Sequence, residues 1–218
     1  MGAKRACDEM RYPGSRLLVF AKAPLPGRVK TRLRGKLGSR GAARLQRRLL
    51  WRTVAVANAA RLCPVEVWCS PTTAHPLFLA LRRRFGVRLR RQRGADLGRR
   101  MFHALHATWR RGAASSVLVG TDCPALGARQ WRQSLDWLND GADAVLGPAR
   151  DGGYVLIGMR TPAGGLFRGI PWGSDRVCRI TRQRLRALRR RWRELEPQAD
   201  IDTPADLTSH PVRLVGRE

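Results

Sequence analysis

Six short β-type apolar runs alternating with amphipathic stretches predict an α/β fold, a mostly parallel sheet with helices on both faces. Length and composition agree: 218 residues, 43% of them hydrophobic, suit a single domain with one well-buried core. Carboxylates stand where several of the predicted strands end, which is where open sheets of this kind bind ligands.

The strands read as RLLVFA (16–21), VEVWCS (65–70), VRLRRQ (87–92), SSVLVGTD (115–122), ADAVLGP (142–148) and GYVLIGM (153–159). Between them, GAARLQRRLLWRTVAVANAARL, HPLFLALRRRF, LGRRMFHALHATWRR and ARQWRQSLDWLND repeat apolar residues at three- and four-residue spacing, the mark of helices with one buried face. Helices joining successive strands imply right-handed crossovers and a sheet covered on both sides. A last helix, ITRQRLRALRRRW, precedes a short tail. The expected organisation is a disordered extension over residues 1–15, one domain over 16–209 and a C-terminal tail over 210–218.

Net charge is +27, yet of the 43 Lys and Arg residues only Lys4, Lys22, Lys30 and Lys36 are lysine. Arginines scattered along the chain fit a GC-biased composition on a solvated surface; where they do meet nucleic acid, the affinity expected is non-specific. Aromatic residues are 6% of the chain and none sits in an RNP-like strand, so no stacking platform for single-stranded RNA is evident. No apolar run approaches a membrane span and the N-terminus lacks a signal-peptide core, which points to the cytoplasm. Ala6 stands where a myristoylation motif at Gly2 requires Ser or Thr. The five cysteines contain no C-x-x-C pair and read as small apolar fillers, Cys123 among them. His75, His103, His106 and His210 lack metal-ligand spacing. The sequence sets no oligomeric state.

The loop FAKAPLPGRVKTRL (20–33) concentrates cations on a proline-stiffened turn. It fits neither G-x-x-x-x-G-K-[ST] nor G-x-G-x-x-G. Lys22, Lys30 and Arg32 can nevertheless hold a phosphate chain, and Gly27 lets the backbone approach it. Asp122 closes its strand, and Asp202 lies in ADIDTPADL; each either binds a hard divalent cation, Mg²⁺ or Mn²⁺, or caps the following helix. Asp96, in GADLGRRM, can cap a helix or accept from a ribose or base. Asp151, Gly152 and Gly153 form either an ordinary hairpin turn or a carboxylate with bare backbone presented to a polar acceptor.

FAKAPLPGRVKTRL, GADLGRRM, GTDCPAL, GPARDGGYVLIG, LFRGIPW and DIDTPADL, in this order, resemble a family of nucleotide-diphospho-sugar transferases of GT-A fold, the radical-SAM/selenodomain-associated or arsenosugar-biosynthesis glycosyltransferases, across about residues 15–209. The resemblance implies a GT-A-like, Rossmann-type sheet, a nucleotide-sugar donor, a small-molecule acceptor and a divalent metal. Asp122 takes the place of the acidic metal motif, although Gly120 stands where a D-x-D pair would have its first aspartate. Asp151 is then the candidate base, with Gly152, Gly153 and Trp172, the end of LFRGIPW, on the substrate side. AKAPLPGRVKTRL with GTDCP is also similar to phospholactate guanylyltransferases, which implies as an alternative nucleotidyl transfer from a nucleoside triphosphate to a phosphorylated small molecule. A third reading, motivated by the charge, is a non-catalytic polyanion-binding module.

Overall fold

A computed structural model describes residues 10–209. Its strands are β1 (Ser15–Lys22), β2 (Val65–Ser70), β3 (Arg88–Arg91), β4 (Ser115–Val119), β5 (Ala144–Pro148), β6 (Tyr154–Met159) and β7 (Trp192–Glu194). The helices are α1 (Arg34–Ala59), α2 (Pro76–Phe85), α3 (Leu97–Trp109), α4 (Ala128–Asn139), α5 (Val177–Ala187) and α6 (Pro204–Ser209). Short 3₁₀ turns span Thr31–Leu33 and Gly164–Leu166.

The seven strands form one sheet in the order β3-β2-β1-β4-β6-β5-β7. As expected, it is mostly parallel: four of the six pairings are parallel, and only β6 runs against its neighbours β4 and β5. Strand order turns back between β1 and β4, so the loops leaving their carboxyl ends open a crevice there. Because β6 is reversed, its first residues, Tyr154 and Val155, lie at that same end.

Alternation along the strands sorts the core onto two faces. Leu17, Val19 and Ala21 pack with Leu50 and Val54 of α1, Phe78 of α2, and Trp131 and Leu135 of α4. Leu18 and Trp68 point the other way, to Met101 and Leu105 of α3 and Leu185 of α5. Local chemistry fixes the helix starts. His75 Nδ1 accepts from the Leu77 N–H (3.2 Å) ahead of Pro76, and α2 ends on Gly86 in the left-handed region. Helix α1 begins earlier than its apolar period suggests, at Arg34, and is interrupted at Gly38 (φ 64°, ψ 169°), which is why the periodicity starts only beyond it.

Two expectations need correction. The helix expected to be the last, α5, ends at Ala187 with Arg189 at φ 51°, Trp192–Glu194 pairs with β5 as an edge strand, and α6 follows. Residues 195–201 then follow the sheet onto its ligand end: Leu195 N–H donates to the Leu146 carbonyl, Gln198 N–H to Pro148 and Ile201 N–H to Asp122, each at 2.9 Å. The second concerns the extension expected over residues 1–15. Residues 1–9 lie outside the described part, as do 210–218, but Tyr12 N–H donates to the Leu62 carbonyl (2.7 Å) and its ring packs on the core.

Candidate active site

Lys22 ends β1, and the loop after it returns to the sheet through Lys30, which is held in the left-handed region (φ 47°, ψ 44°). That backbone turns the Lys30 side chain inward, where it is 2% exposed. Its ammonium lies 3.0 Å from Asp122 Oδ2 and also donates to the Ile201 carbonyl. With the Ile201 N–H bonded to the Asp122 carbonyl, the segment Asp200-Ile201-Asp202 is fastened to the end of β4 both by main chain and through Lys30. Alongside, Arg32 donates to Asp202 Oδ2 at 2.7 Å.

These contacts bear on the roles the sequence left open. At the start of helix α6, Asp206 Oδ2 accepts from the N–H groups of Asp202 (3.0 Å) and Thr203 (2.6 Å), while the Asp202 carboxylate meets Arg32. Among the described residues, Asp122 Oδ1 accepts only a long bond from Thr121 Oγ1 (3.3 Å), while Gln46 steadies that hydroxyl (3.1 Å). Asp122 remains 44% exposed, open to a ligand from the cleft.

The cleft at this end of the sheet has a volume of about 570 Å³. Lys22, Arg28, Lys30 and Arg32 line it together with Asp122, Asp200 and Asp202. Asp200 was not singled out from the sequence. Burial, then the neighbouring charge of Asp151, raise it above the ordinary aspartate range; Asp202 adds to the rise, against the Asp200 backbone N–H and Lys30. The signal was present in DIDTPADL, since Asp200 and Asp202 make a D-x-D pair of their own.

Other expected site residues sit around this centre. Asp151 is exposed and accepts from the Gly153 N–H (2.9 Å), and its charge reaches Asp200. Gly152 lies at φ 87° with a Cβ position 2.1 Å from the Asp175 carbonyl oxygen, so only glycine fits there. Gly27 also takes a left-handed turn (φ 78°) within the cationic loop. Asp96 caps α3, accepting from the Arg99 N–H at 2.8 Å, and it is Leu97 and Arg100 from that helix start that line the cleft. Trp172 packs under the first turn of α3, where a Cβ on Gly98 would come within 2.5 Å of its ring, and meets Tyr154 edge to face at 6.2 Å; Tyr154 lines the cleft.

A hard cation fits the donor set by chemistry, since Mg²⁺ and Mn²⁺ take one or two carboxylates and complete their shell with phosphate oxygens and water. Among the described residues, no three His, Cys, Asp or Glu side chains converge into a metal site of their own. The fit therefore runs through Asp122 with Asp200 or Asp202, with a phosphorylated ligand supplying the rest. Of the described histidines, His75 caps α2, His103 packs edge-on against Trp68 (5.8 Å) and His106 stacks on Phe102 (5.3 Å); His210 lies outside the described residues. Cys63, Cys69, Cys123 and Cys178 are buried, as fillers should be, and burial raises the Cys123 thiol. Cys7 lies outside the described residues.

Residues 53–174 match a family model described as "Uncharacterized protein conserved in bacteria (DUF2064)". Among solved structures, the chain is similar to a provisionally assigned nucleotide-diphospho-sugar transferase from Desulfovibrio desulfuricans G20, at 32% identity and TM-score 0.81, over 92% of this chain and 88% of that one. The fold alone is shared with the inositol-1-phosphate CTP transferase from T. maritima, at 14% identity and TM-score 0.56 over 94% of both chains. The same holds for glucosyl-3-phosphoglycerate synthase from Mycobacterium tuberculosis, solved with Mn²⁺, UDP and glucosyl-3-phosphoglycerate, at 11% identity and TM-score 0.51 over 94% of this chain and 77% of that one. No curated protein matches the chain. Among the described residues no helix is long and apolar enough to cross a membrane. By its six ordered motifs, its sheet and these matches, the chain belongs to the DUF2064 family of GT-A-like nucleotide-diphospho-sugar transferases and is a nucleotide-utilising enzyme of the transferase class.

Proposed function

We propose that the enzyme transfers a sugar from a nucleotide-activated donor to a hydroxyl of a small acceptor, with Mg²⁺ or Mn²⁺ bound at Asp122 and the Asp200–Asp202 pair. The observation that carries this reading is the pair of ion contacts Lys30–Asp122 and Arg32–Asp202, which bring the cations suited to phosphate onto the carboxylates suited to metal. A metal-bound nucleoside diphosphate can exchange both pairs at once, its phosphates taking the cations as the metal takes the carboxylates. The metal would supply charge stabilisation for the departing diphosphate. Lys22, Lys30 and Arg32 bind and orient the phosphates and stabilise the same developing charge. The acceptor oxygen forms its bond to the anomeric carbon as the bond from that carbon to the β-phosphate oxygen breaks, and Asp151 takes the acceptor proton.

Asp151 favours a hydroxyl acceptor, because an anionic phosphate acceptor would meet its carboxylate, whose charge already raises the neighbouring Asp200. Buried thiols suit a reducing compartment, and the reading places the enzyme in the cytoplasm. Nucleic acid enters only as a salt-sensitive, sequence-blind contact of the exposed arginines.

Product analysis tests the proposal. A nucleotide sugar with Mn²⁺ or Mg²⁺ is expected to release nucleoside diphosphate slowly without acceptor, and Asp151→Asn is expected to slow acceptor-dependent turnover more than it weakens donor binding. Release of pyrophosphate from a nucleoside triphosphate and a phosphorylated acceptor, with no nucleotide-sugar turnover, would instead establish nucleotidyl transfer.

A further inference from the structure

Gln92 follows β3 at the carboxyl end of the sheet and lines the cleft. Its backbone N–H donates to the Cys69 carbonyl (2.9 Å), continuing the β2–β3 ladder by one residue. The side chain reaches over the strand ends, where Nε2 donates to the Trp68 carbonyl (2.7 Å) and the Ala21 carbonyl (3.3 Å). Both contacts are to acceptors, so the amide has one permitted orientation: a flipped amide would set its oxygen against two carbonyl oxygens. Both amide hydrogens are thereby used, and Oε1 is left as an accessible acceptor bonded to no described group.

The surroundings suit a planar heterocycle. Leu97, one of few large apolar residues left exposed (46%), lines the same cleft. Arg100 lines it too, its Nε donating to the Gly94 carbonyl (2.9 Å) and its terminal nitrogens left to donate elsewhere. An adjoining cavity of about 430 Å³ shares Lys22, Arg28, Ser70 and Arg100 with the cleft. A phosphate chain on Lys22 and Arg28 would thus carry its nucleoside toward the ends of β2 and β3, away from Asp122.

We infer that Gln92 is a specificity-determining residue that reads an N–H donor on the hydrogen-bonding edge of the donor's nucleobase, with Leu97 covering the ring. The inference rests on the nucleotide-transferase reading above. A preorganised amide, fixed by two main-chain carbonyls, spends no rotamer freedom on binding and rejects a base that cannot donate to it.

Calorimetric titration with Mn²⁺ present, using GDP, ADP, CDP and UDP beside inorganic pyrophosphate as a probe without a base, tests it. Gln92→Met is expected to weaken the tightest-bound nucleoside diphosphate about tenfold and pyrophosphate by less than about twofold. Methylation of the donating ring nitrogen of that nucleotide, or dimethylation where the donor is an amino group, should reproduce the loss on the unaltered protein, a result that decides the matter even if the variant fails to fold. On folded Gln92→Met the methylation should cost nothing more. Undiminished affinity for the methylated nucleotide, unchanged affinity in folded Gln92→Met, or equal losses for nucleotide and pyrophosphate would overturn the inference while leaving the transferase reading in place. Failure of every nucleoside diphosphate to bind the unaltered protein would overturn that reading, and this inference with it.

Discussion

Lys30→Met is expected to remove measurable nucleoside diphosphate binding and to lower stability by about 2 kcal/mol. The Lys30 ammonium is buried between Asp122 and the Ile201 carbonyl, so its loss leaves that carbonyl without its donor and unfastens the Asp200–Asp202 segment from the cationic loop. Asp122 can rehydrate because its side chain is 44% exposed, which keeps the cost below that of breaking a fully buried pair. Urea unfolding would report the stability change and calorimetry the binding loss. A folded variant that binds a nucleoside diphosphate as well as the parent would show that Lys30 only fastens the chain.

Gly152→Ala is expected to be the most damaging small substitution at the site, costing about 3 kcal/mol through backbone strain and displacement. A methyl at this position would stand 2.1 Å from the Asp175 carbonyl oxygen, and φ of 87° disfavours any side chain even without the clash. The segment before α5 cannot yield easily, because the Cys178 N–H donates to the Gly152 carbonyl at 2.8 Å. The turn would have to move, taking Asp151 with it. Thermal unfolding would show the loss, and an alanine variant as stable as the parent would contradict the packing described.

Strands β1, β2, β4, β5 and β6 were legible because apolar residues dominate short runs, and β3 from the alternation of Val87 and Leu89 with arginine; the observed strands fall on those runs. Strand β7 was not, because Trp192-Arg193-Glu194 follows an arginine-rich helical pattern and becomes a strand only by pairing with β5. At the site, Lys30, Arg32, Asp122 and Asp202 stood out as charged residues in loops of unusual composition. Their pairing could not be read, since Arg32 and Asp202 are 170 positions apart and meet only because residues 195–202 fold back over the sheet end. Asp200 carried a signal, its D-x-D spacing with Asp202, whereas Gln92 carried none: one amide after a strand gains meaning only from the carbonyls of Ala21 and Trp68.

The proposed exchange of ion pairs at the cleft would make metal and nucleotide binding interdependent, because each ligand frees the partner group that the other needs. Calorimetric titration of a nucleoside diphosphate with and without Mn²⁺, and of Mn²⁺ with and without the nucleotide, measures that dependence directly. The account predicts that each tightens the other by the same factor, as linkage requires, and that Asp122→Asn abolishes the coupling while the protein stays folded. Nucleotide affinity that is the same with and without metal, or coupling that survives Asp122→Asn, would contradict it.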